Sequence, residues 1–272
     1  MIDTPGWTTA HSEDEEDFQR WAAGPIQLVD FAVHKHYLRQ YIARGQRVLE
    51  VGAGGGRFTE EIAKLTDHIT VVDIAPDKLE RNRRNAVAMG YLDRVEQWLQ
   101  ADMCDLKPHL AADQFDVLVC YGGPLSYAFD RREKAIRELV RVVKPGGMLL
   151  LSARSLWGTV HEFLPTILRF DPRINREIVE TGDMGPTQVA LATRFWHAYR
   201  AQEFKEFIEQ AGAEVILQSA SDCLSATWRD MLSAWQADEH TWKHLLELEI
   251  RACREPGALD MGNHVFAAAR KL

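Results

Sequence analysis

Short apolar runs alternate with amphipathic segments through the middle of the chain. Apolar runs at 47–51, 69–73, 94–100, 115–120 and 147–153 predict β-strands, and the segments 58–65, 76–89 and 130–142 have the apolar spacing of helices. Strands that alternate with helices are typical of βαβ units and of a parallel sheet buried on both faces. The pattern therefore predicts an α/β fold.

Proline and glycine fall where this interpretation needs helices to begin or end. Pro76 suits the first turn of the second helix, where a missing backbone N–H costs nothing. The run Lys144-Pro145-Gly146-Gly147 ends the helix at 130–142 before the fifth strand.

The C-terminal half contains more chain than a simple parallel sheet needs. Residues 154–200 separate the fifth strand from a helix at about 201–211, and we expect this surplus to form a lid. Strands at 214–217 and 264–269 are separated by a helical insertion at 221–258. Within it, apolar side chains recur at helical spacing: Trp228, Met231, Leu232 and Trp235. This spacing favours a core-facing stripe, and it also allows a wall of the acceptor site or an interface of a homodimer.

The N-terminal segment has a different pattern. Residues 14–44 carry aromatic and apolar positions that predict one or two helices. We therefore divide the chain into a helical cap, 1–44, and a second domain, 45–272, which carries both insertions.

The net charge and the composition limit the classes of partner that we expect. The formal net charge is −8, whereas proteins that grip nucleic acid bring a basic face to the phosphates, so we expect no nucleic-acid partner. No run approaches the roughly 20 apolar residues of a membrane span, and no secretory signal is visible, so we expect no membrane partner and a cytoplasmic location. The four cysteines, at 104, 120, 223 and 253, show neither a pairing nor a metal-ligand spacing, so no metal is expected.

A glycine-rich loop follows the first predicted strand and is the best candidate for a ligand site. Its sequence is Glu50-Val51-Gly52-Ala53-Gly54-Gly55-Gly56, followed by Arg57. Glycines admit positive φ and let a ligand approach the backbone, and the helix that follows offers free N–H groups. A dinucleotide fingerprint, G-x-G-x-x-G, would place glycine where Arg57 stands.

Acidic residues close the next two strands in the same way. Asp73 ends the second strand, 21 positions after Gly52, close to the spacing of about 20 for a ribose-binding acid. Asp102 follows the third strand. Together with Glu50, these spacings resemble the class I S-adenosylmethionine-dependent methyltransferases over residues 45–155.

This resemblance implies a fold, a cofactor and a set of residues that bind it. The fold is a Rossmann-like, seven-stranded, mostly parallel sheet with helices on both faces, an N-terminal helical cap and helical insertions after strands 5 and 6. Glu50 would pair with the cationic methionine end of S-adenosyl-L-methionine. Asp73 would accept hydrogen bonds from the ribose, and Asp102 would contact the adenine. The implied cofactor contacts are Glu50, Gly52, Ala53, Gly54, Gly56, Asp73, Ile74, Asp102, Met103, Cys120 and Tyr121.

Methyl transfer from a sulfonium is a direct displacement, so alignment and exclusion of water matter most. A base helps when the acceptor is a hydroxyl or a protonated amine, and histidine is suited to this role. The catalytic candidates are His197, His161 and Tyr127, and His34 and His36 in the N-terminal segment are further possible bases.

The exit of the fourth strand, Cys120-Tyr121-Gly122-Gly123-Pro124, carries none of the motifs of DNA amino-methylating, pyrimidine C5 or protein arginine methyltransferases. We therefore expect methyl transfer to O or N of a small-molecule acceptor. Two alternatives remain open: a non-catalytic protein that binds S-adenosylmethionine on the same fold, and a nicotinamide-dependent oxidoreductase.

Overall fold

The computed structural model describes residues 24–186 and 194–272. Residues 1–23, with the acidic run at 13–17 and part of the expected cap, lie outside the described residues, as do 187–193 of the expected lid. The division into a cap and a second domain stays a prediction.

Nine strands are assigned within the described ranges. They are β1 (Arg47–Val51), β2 (His68–Asp73), β3 (Val95–Gln100), β4 (Phe115–Cys120), β5 (Val143–Arg154), β6 (Asp183–Met184), β7 (Trp196–His197), β8 (Ala213–Ala220) and β9 (His264–Lys271). The α-helices are α1 (Pro25–Tyr41), α2 (Arg57–Ala63), α3 (Pro76–Ala88), α4 (Pro124–Tyr127), α5 (Arg132–Val142), α6 (Leu156–Glu162), α7 (Leu164–Ile167), α8 (Pro172–Thr181), α9 (Ala201–Gln210), α10 (Arg229–Gln236) and α11 (Glu239–Ala252).

Seven of these strands form one sheet in the order β3-β2-β1-β4-β5-β9-β8. The five strands from β3 to β5 are parallel, and β9 runs antiparallel to both of its neighbours. The order reverses between β1 and β4, and in open α/β sheets ligands bind at the carboxyl ends of the strands at such a switch point. The predicted seven-stranded, mostly parallel α/β fold is confirmed.

Alternating side chains of each strand enter two different cores. Leu49, Leu118 and Leu149 pack on one face with α5 and α9. Val48, Val117 and Val119 pack on the other face with α1, α2 and α3. Burial on both faces explains why these strands are nearly continuous apolar runs.

The fifth strand begins earlier than the proline and glycines suggest. Helix α5 ends at Val142 and β5 starts at Val143, so the run from Lys144 to Gly147 lies inside the strand rather than before it. Gly146 has φ +77°, and the register against β4 shifts between Phe115 and Val117. The strand therefore accommodates the turn sequence as a local irregularity.

The insertion between β8 and β9 is helical, as expected, but its apolar stripe is only partly buried. Leu232 is 1% exposed, whereas Trp228 and Met231 are 56% and 45% exposed. Helices α10 and α11 pack against α1, which joins the C-terminal insertion to the first described helix. Among the described residues, every helix is too short or too polar to cross a lipid bilayer.

Candidate active site

The glycine loop between β1 and α2 adopts a backbone that needs its glycines. Gly52, Gly54 and Gly56 have φ of +69°, +53° and +95°. A Cβ on Gly52 would lie 2.5 Å from Pro124 Cγ, and one on Gly56 would lie 2.9 Å from Asn82 Cγ. The loop is thus packed against α4, at the exit of β4, on one side and against α3 on the other.

Gly54 differs from its neighbours because a Cβ there would meet nothing within 4 Å. Its N–H is already used, since Gly54 N donates to Asp73 Oδ2 at 2.7 Å. Open space over a backbone stretch without side chains is what a ligand needs to lie against the loop. We call the space over this loop backbone the cradle. It is open to a ligand at Gly54.

Glu50 is the buried acid of this loop. It is 2% exposed, and Thr59 Oγ1 donates to its Oε2 at 2.5 Å. Burial raises the pKa of Glu50 to about 8, the hydrogen bond from Thr59 opposes this, and the negative charge of Asp73 adds to it. A buried carboxyl with a raised pKa is suited to a cationic ligand, whose charge would favour the ionised form.

Asp73 closes β2 and fixes the loop around it. Its Oδ2 accepts the Gly54 amide, and its Oδ1 accepts the Ala75 amide at 2.9 Å. Each carboxylate oxygen keeps a second lone pair, so Asp73 can still accept from two ribose hydroxyls. Ile74, the next residue, is partly exposed beside it.

Asn82 supports this arrangement from α3 and was missed at the level of sequence. It is fully buried, donates to Thr59 Oγ1 at 2.9 Å, and accepts from Trp98 Nε1 at 3.3 Å. Through Thr59 it helps to hold Glu50. The signal that could have found it is an asparagine between Leu79 and Ala86 on the buried stripe of a helix, since a buried amide needs partners.

Asp102 lies after β3 and is not a free acid. Its Oδ1 accepts the Cys104 amide at 2.8 Å, and its Oδ2 binds Arg131 Nη1 at 2.7 Å. Arg131, from the turn before α5, was also missed because 29 positions separate the two residues. Asp102 and Met103 are both partly exposed. A ligand at this edge meets an ion pair rather than a lone carboxylate.

The exit of β4 brings aromatic groups next to the loop. Cys120 is fully buried, and burial raises the pKa of its thiol, with Glu50 and Asp73 adding to the effect, so it is not a nucleophile. Tyr121 is 4% exposed and lies edge-on to Phe58 of α2, with ring centroids 5.1 Å apart. Phe58 and Tyr121 thus form an aromatic wall, which joins α2, after the glycine loop, to the exit of β4.

His34 of α1 completes the wall. Its ring lies edge-on to Tyr121 at 4.8 Å, and its Nδ1 donates to the carbonyl oxygen of Asp30 at 2.8 Å. A carbonyl only accepts, so Nδ1 carries the proton and Nε2 of the neutral ring keeps its lone pair. Nε2 is buried and has no hydrogen-bond partner among the described residues. Burial lowers the pKa of His34, which favours that neutral form, although the charge of Asp30 opposes the shift.

The three catalytic candidates have other contacts in the structure. His197 is 1% exposed, with Nδ1 2.6 Å from Asp183 Oδ1 and Nε2 2.7 Å from Glu203 Oε1, so neither nitrogen is open to an acceptor. His161 is partly exposed on α6. The guanidinium of Arg194 lies 3.7 Å from the ring centroid of Tyr127. No hydrogen bond within 24–186 and 194–272 links the three candidates, and His197 has the contacts of a structural residue.

Comparison with known proteins identifies the kind of domain that contains this site. The model of the methyltransferase domain matches residues 48–147, which run from β1 through the loop, Asp73 and Asp102 to the start of β5. This part of the chain, residues 48–147, is a methyltransferase domain. S-Adenosylmethionine is therefore its cofactor, and the open cradle at Gly54, the buried Glu50 and the spare acceptors of Asp73 fit that molecule.

Two curated proteins with different names are similar to this methyltransferase in sequence. It is 24% identical over 233 residues to the tRNA 5-carboxymethoxyuridine methyltransferase of Escherichia coli O157:H7, covering 83% of this chain and 80% of the relative. It is 35% identical over 117 residues to nodulation protein S of Bradyrhizobium diazoefficiens, covering 40% of this chain and 52% of that protein.

The fold is shared with solved structures at lower identity. An S-adenosylmethionine-dependent methyltransferase from Mesorhizobium loti has a TM-score of 0.59 and 17% identity, with 89% of this chain and 100% of that chain covered. At this identity the likeness shows the fold alone.

Proposed function

We propose that this methyltransferase transfers the methyl group of S-adenosylmethionine to an oxygen or nitrogen atom of a small-molecule acceptor. The observation that carries the proposal is the wall of His34, Phe58 and Tyr121 at the switch point, next to the glycine loop. A buried aromatic wall suits a compact acceptor that enters a cleft and leaves water behind.

The cofactor would be held by the loop and by the carboxyl ends of β2, β3 and β4. When bound, it supplies a methyl group activated on a sulfonium. Glu50 would answer the cationic end, and Asp73 would accept from the ribose while its bonds to Gly54 and Ala75 keep the loop in place. The residues proposed to contact it are Glu50, Gly52, Ala53, Gly54, Gly56, Asp73, Ile74, Asp102, Met103, Cys120 and Tyr121.

His34 is the base that the geometry favours, ahead of His197, His161 and Tyr127. Its Nε2 has a lone pair and no partner among the described residues, whereas both nitrogens of His197 are engaged. An acceptor O–H or N–H would give its proton to Nε2 as the acceptor atom takes the methyl group. Asp30 would keep the ring in the required tautomer through its carbonyl oxygen.

A second candidate acceptor is a nucleotide in RNA. It is favoured by the tRNA methyltransferase of Escherichia coli O157:H7, to which most of both chains aligns. The net charge of −8 speaks against it, because RNA binding needs basic groups on the phosphates.

Transfer of labelled methyl groups separates these candidates. The protein is incubated with methyl-labelled S-adenosylmethionine and either bulk tRNA or a panel of phenols, carboxylic acids and amines, and the label is followed into each fraction. We expect label in small molecules and none in tRNA. Label in tRNA alone would overturn the small-molecule proposal. With the acceptor found, His34→Gln should lower kcat at least tenfold and leave the Kd of the cofactor unchanged.

A further inference from the structure

Two cysteines that lie far apart in the sequence meet in the insertion between β8 and β9. Cys223 Sγ lies 3.2 Å from Cys253 Sγ, and Cys253 Sγ lies 3.3 Å from Glu249 Oε1. Ligand atoms of all three residues lie within 4.8 Å of one another. No metal-ligand spacing is visible along the chain because the two cysteines lie 30 positions apart. The return of α11 toward the end of β8 brings them together.

The carboxylate of Glu249 is held in place and still has a free lone pair. Leu224 N donates to Oε1 and Ser225 N donates to Oε2, each at 2.9 Å. Because each oxygen has two lone pairs, Oε2 keeps one that is free, and the second lone pair of Oε1 is contacted only by the Cys253 thiol, at 3.3 Å. Backbone groups that orient a carboxylate in this way are what the ligands of a metal site usually have around them.

The cluster contains acidic groups and no cationic side chain. Glu249 is fully buried, and no ion pair among the described residues includes its carboxylate. The neighbouring Asp222 is another buried acid, at 1% exposed. An ionised carboxylate without a counter-charge is costly in a protein interior, and a bound cation would remove that cost.

The surroundings of the cluster also change the pKa of Cys253. The hydrogen bond between the two cysteines raises the pKa of Cys253, and burial and the charge of Glu249 raise it further. The thiol of Cys253 is therefore protonated while no cation is bound. A metal ion would displace thiol protons to solvent, because only the thiolate is a ligand.

From this geometry we propose that Cys223, Glu249 and Cys253 bind a thiophilic divalent cation of the zinc type. Two thiolates and one carboxylate are a donor set that zinc accepts, with three protein ligands and one open position. Sulfurs about 2.3 Å from a tetrahedral ion stand roughly 3.7 Å apart, so the two thiols need to separate by about half an ångström. Cys223 is partly exposed, which gives the ion access and leaves room for water as a fourth ligand.

A bound ion would fasten one end of the insertion to the sheet. Cys253 follows the end of α11, and its carbonyl oxygen accepts Ala220 N, at the end of β8, at 2.8 Å. Cys223 belongs to the turn that follows β8. The ion would thus tie the turn after β8 to the end of α11.

Cobalt substitution tests the proposal on the full chain. The reduced, chelator-treated protein is titrated with Co²⁺ and then with Zn²⁺, without any methyl acceptor, so the result does not depend on the proposed function. We expect one equivalent of Co²⁺, a thiolate-to-cobalt charge-transfer band, its loss on adding zinc, and a higher unfolding temperature with zinc.

Variants identify the ligands. Cys223→Ser and Cys253→Ser should lose the band, whereas Cys104→Ser, at a buried thiol outside the cluster, should keep it. If Cys253→Ser does not fold, the partly exposed Cys223 decides, with circular dichroism as the check on folding. Absence of the band in the reduced wild-type protein, or its persistence in Cys223→Ser, overturns the proposal. A Cys223–Cys253 disulfide that re-forms under reducing conditions and excludes cobalt overturns it as well.

Discussion

Glu50 is the residue whose chemistry the fold changes most. In the sequence it is an acid before a glycine loop, and in the structure it is a buried carboxyl with a pKa of about 8, held by one hydrogen bond from Thr59. Its folded-state pKa lies above the ordinary 4.5, so the stability it contributes is complete below about pH 4.5 and is lost as the pH rises through about 8.

Binding of a cationic cofactor should therefore release a proton. At pH 7 most Glu50 is protonated in the free protein, and the positive charge of the ligand favours ionisation, so we expect close to one proton to be released on binding. Calorimetry in buffers of different ionisation enthalpy measures this number. In Glu50→Gln the release should vanish and the affinity should fall roughly tenfold or more. Equal heats in all buffers for the wild-type protein would contradict this assignment.

At the scale of the element, the glycines of the loop between β1 and α2 serve two different purposes. Some are needed for packing inside the protein, and one leaves room for a ligand. Gly56 and Gly52 face packed side chains, whereas Gly54 faces open space. Substitution at Gly54 thus changes the surface offered to a ligand without a steric conflict inside the protein. A matched position exists at Gly90, which follows α3, has φ +74° and also has open space around it.

Gly54→Ala and Gly90→Ala should differ in cofactor binding and not in stability. Each places an L-residue at positive φ, which costs about 1 kcal/mol in the free energy of unfolding. Only Gly54→Ala puts a methyl group into the cradle, so we expect its affinity for S-adenosylmethionine to fall at least tenfold while Gly90→Ala binds normally. Thermal unfolding and calorimetry measure the two quantities. Equal affinities of the two variants would show that the cofactor does not lie against Gly54.

At the scale of the whole molecule, charged contacts connect the described part of the segment between β5 and α9 to other elements. His197 on β7 joins Asp183 of β6 to Glu203 of α9, and Glu162 at the end of α6 pairs with Arg154 and Arg229. Arg229 begins α10, so Glu162 connects α6 to the insertion between β8 and β9. These contacts join parts of the chain that the sequence pattern treats as separate.

His197→Ala should lower stability rather than remove a base. It leaves Asp183 and Glu203 without a partner that both contact, and we expect the free energy of unfolding to fall by about 2 to 4 kcal/mol. The Kd of S-adenosylmethionine should stay within twofold. His161→Ala, at a partly exposed site, is the control and should stay within about 0.5 kcal/mol. Denaturant unfolding measures both, and an unchanged stability for His197→Ala would contradict the structural role.

The sequence by itself determined the parallel sheet, the glycine loop and the acids that close β1 and β2. These features are local: an apolar run of the right length, a loop free of side chains and an acid at the end of a strand are read from neighbouring residues. Because parallel strands place their carboxyl ends at one edge, strand order alone brings Glu50 and Asp73 to a single site.

Tertiary structure decided the contacts between distant segments. The engagement of both nitrogens of His197, the pairing of Asp102 with Arg131, the place of His34 beside Tyr121 and the meeting of Cys223 with Cys253 all join residues from different elements. No periodicity encodes such contacts, because they depend on how helices and loops pack across the sheet. Packing therefore selected His34 over His197 as the candidate base.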